Sequence, residues 1–261
     1  MLHHSLTVDG RVALVTGAGR GIGRATALLL AERGARVMGV SRTVSELEAL
    51  ARAAPVEWVA ETVATAAGRE RILAETRSRL GPVEVVVNNA GVGSAAEQLI
   101  WAQDPAVWRA TMDINLDAPF DIIRRILPDM MERGFGRIVN VCSTAALASS
   151  VAPAMSAYAA SKHGLLGLTR AVAVEVAGLG ITCNAVLPGS VRTATAELRV
   201  EREAAELGIT VEEAWIERGR RYSANRVVEV DEVAATIAFL VSNDASGVNG
   251  EGIVVALQAH G

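Results

Sequence analysis

Cysteine is scarce in this chain. Cys142 and Cys183 are the two in 261 residues. Both fall inside apolar runs that read as strands. Two such residues do not make a disulfide framework or a cysteine-based metal site, and they read as small buried core side chains. A concentrated positive charge is lacking as well. Lys and Arg number 25 against 29 Asp and Glu, for a net charge of −4. The cations are spread along the chain, which argues against a nucleic-acid partner. Long hydrophobic runs are absent. The apolar tracts are broken by Arg or Glu well short of the length that spans a bilayer. The N-terminal stretch Met1-Leu-His-His-Ser-Leu6 lacks the basic region and long apolar segment of a signal peptide. The expectation is a cytoplasmic protein with no membrane partner. With no repeat, low-complexity segment or interdomain linker, a single domain over 1–261 is expected.

What the chain does have is apolar residue, 51% of the total, and a mean hydropathy of +0.30. A sheet covered on both faces needs that much. Short apolar runs at 12–16, 36–40, 56–60, 83–87, 137–141, 181–187 and 253–257 read as strands. Helical patterns separate them at 22–33, 44–53, 69–80, 105–133, 157–177 and 231–241, with Gly34 and Gly134 where helix stops belong. Continuous apolar strands alternating with helices predict an α/β fold: a doubly wound parallel sheet of about seven strands. Segment 194–226 is charged, helix-prone and inserted beside the expected ligand crevice, which makes it a candidate lid.

Between the first strand and first helix lies Thr16-Gly-Ala-Gly-Arg-Gly-Ile-Gly23. Gly17, Gly21, Ile22 and Gly23 form a tight turn whose backbone N–H groups can approach a pyrophosphate at the helix N-terminus. The second strand ends in Val40-Ser41-Arg42, where a site for unphosphorylated ribose usually carries an acid. Ser41 and Arg42, with Arg20 from the glycine turn, suit a 2′-phosphate, which points to NADP(H) over NAD(H). Asn88-Asn89-Ala90-Gly91 ends the fourth strand with small residues that let backbone approach a ligand. Asn115 sits in an apolar helical context, where an amide must find partners. It could kink the helix around a water or cap a local break. Ser143 stands at the carboxyl end of a strand, where ligands bind in open α/β sheets, with Thr144 as the competing hydroxyl. Pro188-Gly-Ser-Val-Arg-Thr193 ends the sixth strand with a turn that can pack on a nicotinamide ring.

Tyr158 and Lys162, four apart in Ser156-Ala-Tyr-Ala-Ala-Ser-Lys-His163, share one helix face. Alone, such a pair is usually an amphipathic surface feature. Beside a dinucleotide turn and a strand-end serine it carries chemistry, because a fixed cation favours a phenolate and fits a phenol for acid/base work.

Together these residues resemble the short-chain dehydrogenase/reductase family, over roughly 8–257, and more loosely the ketoreductases of fatty-acid and polyketide synthesis. The resemblance implies a Rossmann fold. It makes Tyr158 the general acid/base, Ser143 the group that orients the carbonyl, and Lys162 the cation that eases ionisation of the tyrosine and holds the nicotinamide ribose. Asn115 is implied to anchor a water linking Lys162 to solvent. Cofactor contacts are expected from Gly17, Arg20, Gly21, Ile22, Gly23, Ser41, Arg42, Thr62, Val63, Asn89, Ala90, Gly91, Tyr158, Lys162, Pro188, Gly189, Val191 and Thr193. No metal is expected. The chain departs from the family pattern at Thr62-Val63 in place of Asp-Val, in fourteen residues between Ser143 and Tyr158, and at a C-terminus without Asp-Gly-Gly. The expected activity is hydride transfer between NADP(H) and an apolar ketone, 3-oxoacyl-type substrate or secondary alcohol. NAD(H) dependence and a non-catalytic cofactor-bound regulator are the alternatives. Pocket walls are expected at 93–96, 147–155 and the lid with its Trp215. Apolar excess in the helices around 104–132 and 157–177 predicts a homodimer or homotetramer.

Overall fold

The computed structural model describes residues 8–93, 98–147 and 153–258. The first half alternates strand and helix: β1 (Val12–Thr16), α1 (Gly21–Glu32), β2 (Arg36–Ser41), α2 (Val44–Ala53), β3 (Val56–Ala60), α3 (Ala66–Arg79) and β4 (Val85–Asn88). The second half continues with α4 (Pro105–Met112), α5 (Ala118–Arg133), β5 (Gly136–Val141), α6 (Ser156–Glu175), β6 (Ile181–Pro188), α7 (Ala194–Leu207), α8 (Val211–Gly219), α9 (Val230–Val241) and β7 (Gly252–Val255). The strands form one 7-stranded sheet in the order β3-β2-β1-β4-β5-β6-β7. Every pairing is parallel, as expected when a helix carries the chain back after each strand.

Successive side chains along each strand feed opposite cores, which is why the strands are apolar throughout rather than alternating. Ala13, Val15, Val85 and Val87 face one layer with Leu30 of α1, Leu50 of α2 and Ile237 of α9. Leu14, Val86 and Ile138 face the other with Ile72 of α3, Ile123 and Met130 of α5 and Val172 of α6. Both cysteines are buried and unpaired. Burial pushes the Cys142 thiol up to about 11 and the Cys183 thiol up to about 12, so both stay neutral.

Four boundaries differ from the sequence expectation, each for a local reason. Helix α3 begins at Ala66 because the Thr65 hydroxyl accepts a hydrogen bond from the Gly68 N–H at 3.1 Å and caps it. Stretch 105–133 is not one helix. A π turn at Asp113–Asp117 separates α4 from α5, and Gly134 ends α5 at φ 63. Strand β7 stops at Val255, because Leu257 and Gln258 turn left-handed at φ 52 and 51. Segment 194–226 contains α7 and α8, which close on a small core of their own: Val200, Ala204, Ala214, Trp215 and Val227. Trp215 is 3% exposed and its indole N–H donates to Glu197 Oε2 at 3.0 Å. It therefore holds the two helices together, which corrects the expectation of a pocket wall.

An ionic cluster pins α3 to α5. Asp121 accepts hydrogen bonds from Arg69 at 2.7 Å, Arg124 at 2.6 Å and Arg125 at 3.0 Å. Burial alone would raise this carboxyl, but the three guanidinium donors outweigh it and hold it at about 2. A carboxyl ionising below its unfolded value stabilises the fold fully above pH about 4, and that contribution fades as pH falls toward 2. Asp121→Asn should lower stability at pH 7 by on the order of 1–2 kcal/mol, allowing for the water that screens the outer arginines. Urea titrations of both proteins between pH 7 and 2 should show the gap shrinking at the acid end.

Candidate active site

The crevice lies at the carboxyl ends of the strands, where the sheet order turns from β1 to β4. Its floor is a joint between those two strand ends. The Thr16 hydroxyl accepts from the Asn89 and Ala90 N–H groups, both at 3.0 Å. The Asn89 amide nitrogen donates to the Thr16 carbonyl at 2.9 Å and the Gly17 carbonyl at 3.2 Å. Asn88 does not reach the turn. Its amide donates instead to Asn140 Oδ1 on β5 at 2.9 Å, inside the protein.

The glycine turn fits a phosphate. Gly17 has φ +67, a conformation that side chains rarely adopt. A Cβ at Gly23 would strike the Gly17 carbonyl and the Asn89 amide. Helix α1 starts there with no acidic residue in its first turn and no side-chain cap, so its leading N–H groups and positive dipole end face the crevice. Above them lies a cleft of about 320 Å³. Of the residues expected at the cofactor, Gly17, Arg20, Gly21, Ile22, Ser41, Arg42, Thr62, Val63, Asn89, Ala90, Gly91 and Thr193 line it. Gly23 lies under the turn. Pro188, Gly189 and Val191 stand behind Thr193, whose Cγ2 approaches within 3.4 Å of where a Gly21 Cβ would sit. Their loop is fixed by the Gly189 N–H on the Val255 carbonyl at 3.0 Å and the Ser190 N–H on the Tyr222 hydroxyl at 3.1 Å.

Several cleft residues escaped the sequence reading: Gly19, Val40, Thr43, Glu46, Glu61, Val92, Ile114 and Ala194. Two of them are acids. Thr62 and Val63 stand where the family pattern has Asp-Val. The Thr62 hydroxyl accepts from the Ala64 N–H at 3.2 Å, so it closes a local turn.

Four catalytic candidates come from four different stretches of chain. Lys162 on α6 is 4% exposed. Its ammonium donates to the Val141 carbonyl at 2.8 Å and lies 5.8 Å from the centre of the Tyr158 ring. A Cβ on Gly91 would come within 3.5 Å of the same ammonium and 3.3 Å of Asn115 Oδ1, so the bare backbone there leaves room beside both. Ser143 follows β5 two residues beyond Val141. Its hydroxyl oxygen accepts from the Ala145 N–H at 3.1 Å, which fixes the oxygen and leaves its proton free to be donated. Asn115 sits in the π turn, fully buried. It accepts from the Val92 N–H at 2.9 Å and donates to the Val92 carbonyl at 2.9 Å and Ser161 Oγ at 3.0 Å. The amide thus clamps the chain leaving β4 to α6. Expected pocket walls at 94–96 and 148–152 lie outside the described residues. Among the described residues no group of three or more His, Cys, Asp or Glu could hold a metal ion, and no helix is long and apolar enough to cross a membrane.

Comparison with known proteins agrees with this geometry. The sequence profile of the short chain dehydrogenase family matches residues 11–204. A D-beta-hydroxybutyrate dehydrogenase of Cupriavidus necator is 35% identical over 249 residues, covering 93% of this chain and 95% of that protein. A putative ketoacyl reductase of Streptomyces coelicolor is 37% identical over 265 residues, covering 95% and 97%. The crystal structure of a variant actinorhodin polyketide ketoreductase with NADPH superposes with a TM-score of 0.86 at 34% identity, covering 94% of this chain and 95% of that one. A matching profile over most of the chain, relatives covered almost end to end and a close structural match lead to one conclusion: the protein belongs to the short-chain dehydrogenase family and is an oxidoreductase.

Proposed function

We propose that the protein reduces an apolar ketone or 3-oxoacyl-type substrate to its secondary alcohol with NADP(H), and that the whole chain works as one catalytic unit in the cytoplasm. The observation that carries this reading is the buried Lys162 ammonium, fixed on the Val141 carbonyl beside Tyr158 and next to the bare backbone of Gly91. Relatives named for a ketoacyl reductase and a hydroxybutyrate dehydrogenase, and a neighbour solved with NADPH, support it.

The residues divide the cofactor between them. The Gly17–Gly23 turn and the α1 N-terminus suit a pyrophosphate. Arg20, Ser41 and Arg42 suit a 2′-phosphate, and Thr62 and Val63 the adenine side. Asn89–Gly91, Lys162 and the 188–193 turn suit the nicotinamide end. When bound, the nicotinamide supplies the hydride for the carbonyl carbon. Tyr158 holds the proton at its hydroxyl and donates it to the carbonyl oxygen as negative charge grows there. Ser143 donates a hydrogen bond to that same oxygen. Lys162 keeps a positive charge near the phenol, easing its loss of the proton. Asn115 keeps the β4 exit and α6 in register, and one lone pair of its oxygen remains for a water on the way to Lys162. Helices α7 and α8 serve as the lid over the substrate mouth. Glu46 and Glu61 in the cleft favour a second reading, in which NAD(H) is the cofactor.

Three outcomes are expected. Tyr158→Phe should lower steady-state turnover with NADPH and a ketone panel by at least about a hundredfold, while NADPH binding changes little. Ser143→Ala should cost more turnover than Thr144→Ala. Near-normal turnover of Tyr158→Phe would overturn the proton path. Fluorescence titration should show NADPH bound more tightly than NADH, with Arg42→Asp erasing or inverting the preference. Equal affinities in the unmodified protein would count against NADP(H). Finally, Phe120 on α5 and Val174 on α6 are 50% and 79% exposed, and covering such apolar surface favours a homodimer or homotetramer. Light scattering at micromolar concentration should give a multiple of the chain's 27.3 kDa.

A further inference from the structure

The cleft holds four charged side chains: Arg20, Arg42, Glu46 and Glu61. Two of them are acids in the space assigned to a phosphorylated ribose. Glu61 is already satisfied, because it accepts from the Thr62 N–H at 2.8 Å and pairs with Arg71 at 2.8 Å. Glu46 is different, because its partners are the groups a 2′-phosphate would need. The Ser41 hydroxyl donates to Glu46 Oε2 at 3.3 Å. Arg20 Nε lies 4.0 Å from Glu46 Oε1. Gly19 makes room for this arrangement, since a Cβ there would collide with the Glu46 carboxylate and come within 2.8 Å of Ser41 Oγ. By contrast, among the described residues no carboxylate pairs with Arg42.

We infer that Glu46 is the residue that sets discrimination between phosphorylated and unphosphorylated adenosine: its carboxylate stands in for the 2′-phosphate on Ser41 and Arg20 and competes with it. This rests on the NADP(H) reading of the site. Two negative groups cannot share the same two donors, because like charges a few ångströms apart repel and each needs the same hydrogen bonds. Glu46 withdraws when a 2′-phosphate arrives. It is able to do so because it stands in the first turn of α2 with its side chain 29% exposed, within reach of water. Against an unphosphorylated ribose the carboxylate stays and accepts from the ribose hydroxyls. Cofactor preference is then a balance between Arg42, which favours the phosphate, and Glu46, which opposes it.

Calorimetry with two probes, adenosine 2′,5′-bisphosphate and 5′-AMP, tests the inference without turnover. Glu46→Gln should tighten the bisphosphate at least fivefold at low salt and leave 5′-AMP unchanged or weaker. The gain should shrink in high salt, where exposed charges are screened. Glu48→Gln is the control. It removes the same charge from the same helix, but Glu48 faces Arg52 at 4.0 Å, so neither probe's affinity should move. Thermal melts of both variants check that they fold. If Glu46→Gln leaves the bisphosphate within twofold, weakens it, or tightens both probes equally, the inference is overturned whatever the unmodified protein prefers. If the unmodified protein shows no preference and Glu46→Gln creates one, the inference stands and the NADP(H) reading falls.

Discussion

The site depends on one joint, between Thr16 at the end of β1 and Asn89 at the exit of β4. A parallel sheet that is wound outward from β1 in both directions leaves a gap where the order reverses, because the two connecting chains diverge from adjacent strands. Nothing in sheet pairing holds that gap at a defined width. Here four hydrogen bonds between a threonine hydroxyl, an asparagine amide and nearby backbone do so. They buttress the glycine turn from below, so the α1 N-terminus faces the cleft at a fixed height. The bare backbone at Ala90 and Gly91 follows directly, so the same joint sets how close the ligand comes to Lys162.

The catalytic groups share one property: each has its spare bonding used by the backbone, leaving a single function free. Ser143 accepts from Ala145 and keeps its proton to give. Lys162 spends one N–H on Val141, which fixes where its charge lies. Asn115 spends both donors and one lone pair on holding chain segments. A polar group buried without partners would destabilise the fold, so satisfying these groups and aiming them are one requirement.

Much of this was legible in the sequence. The strands, their parallel arrangement and the cleft residues from Gly17 to Thr193 followed from apolar runs, glycine spacing and strand-end polar residues, all local signals. The comparisons that place the chain in its family agree with the resemblance those residues carry. What stayed hidden depends on contacts between distant residues or on helix geometry. Glu46 lies one helical turn beyond the end of β2, so a search for an acid at the strand end passes over it; only the packing of α2 against the Gly19 turn brings its carboxylate to Ser41. Trp215 looked available for a pocket because the apolar pattern of a two-helix insertion does not say which face closes on itself. A π turn has no reliable sequence mark, although an asparagine inside an apolar helical stretch was a hint that the helix is interrupted there.

That π turn also sets the phase of the helix that follows it. Each residue of an α-helix advances the side chains by about 100°, and a π turn absorbs one extra residue within one winding. Helix α4 and helix α5 therefore follow one axis with their faces offset, so that Ile122, Ile123, Ile126 and Met130 fall against the sheet while Arg109 points outward. The segment is thus sensitive to length more than to composition. Removing one residue between Asp113 and Asp117 would restore a regular helix and turn the core face of α5 away from the sheet, whereas a substitution at an exposed position on the same turn would leave the phase intact.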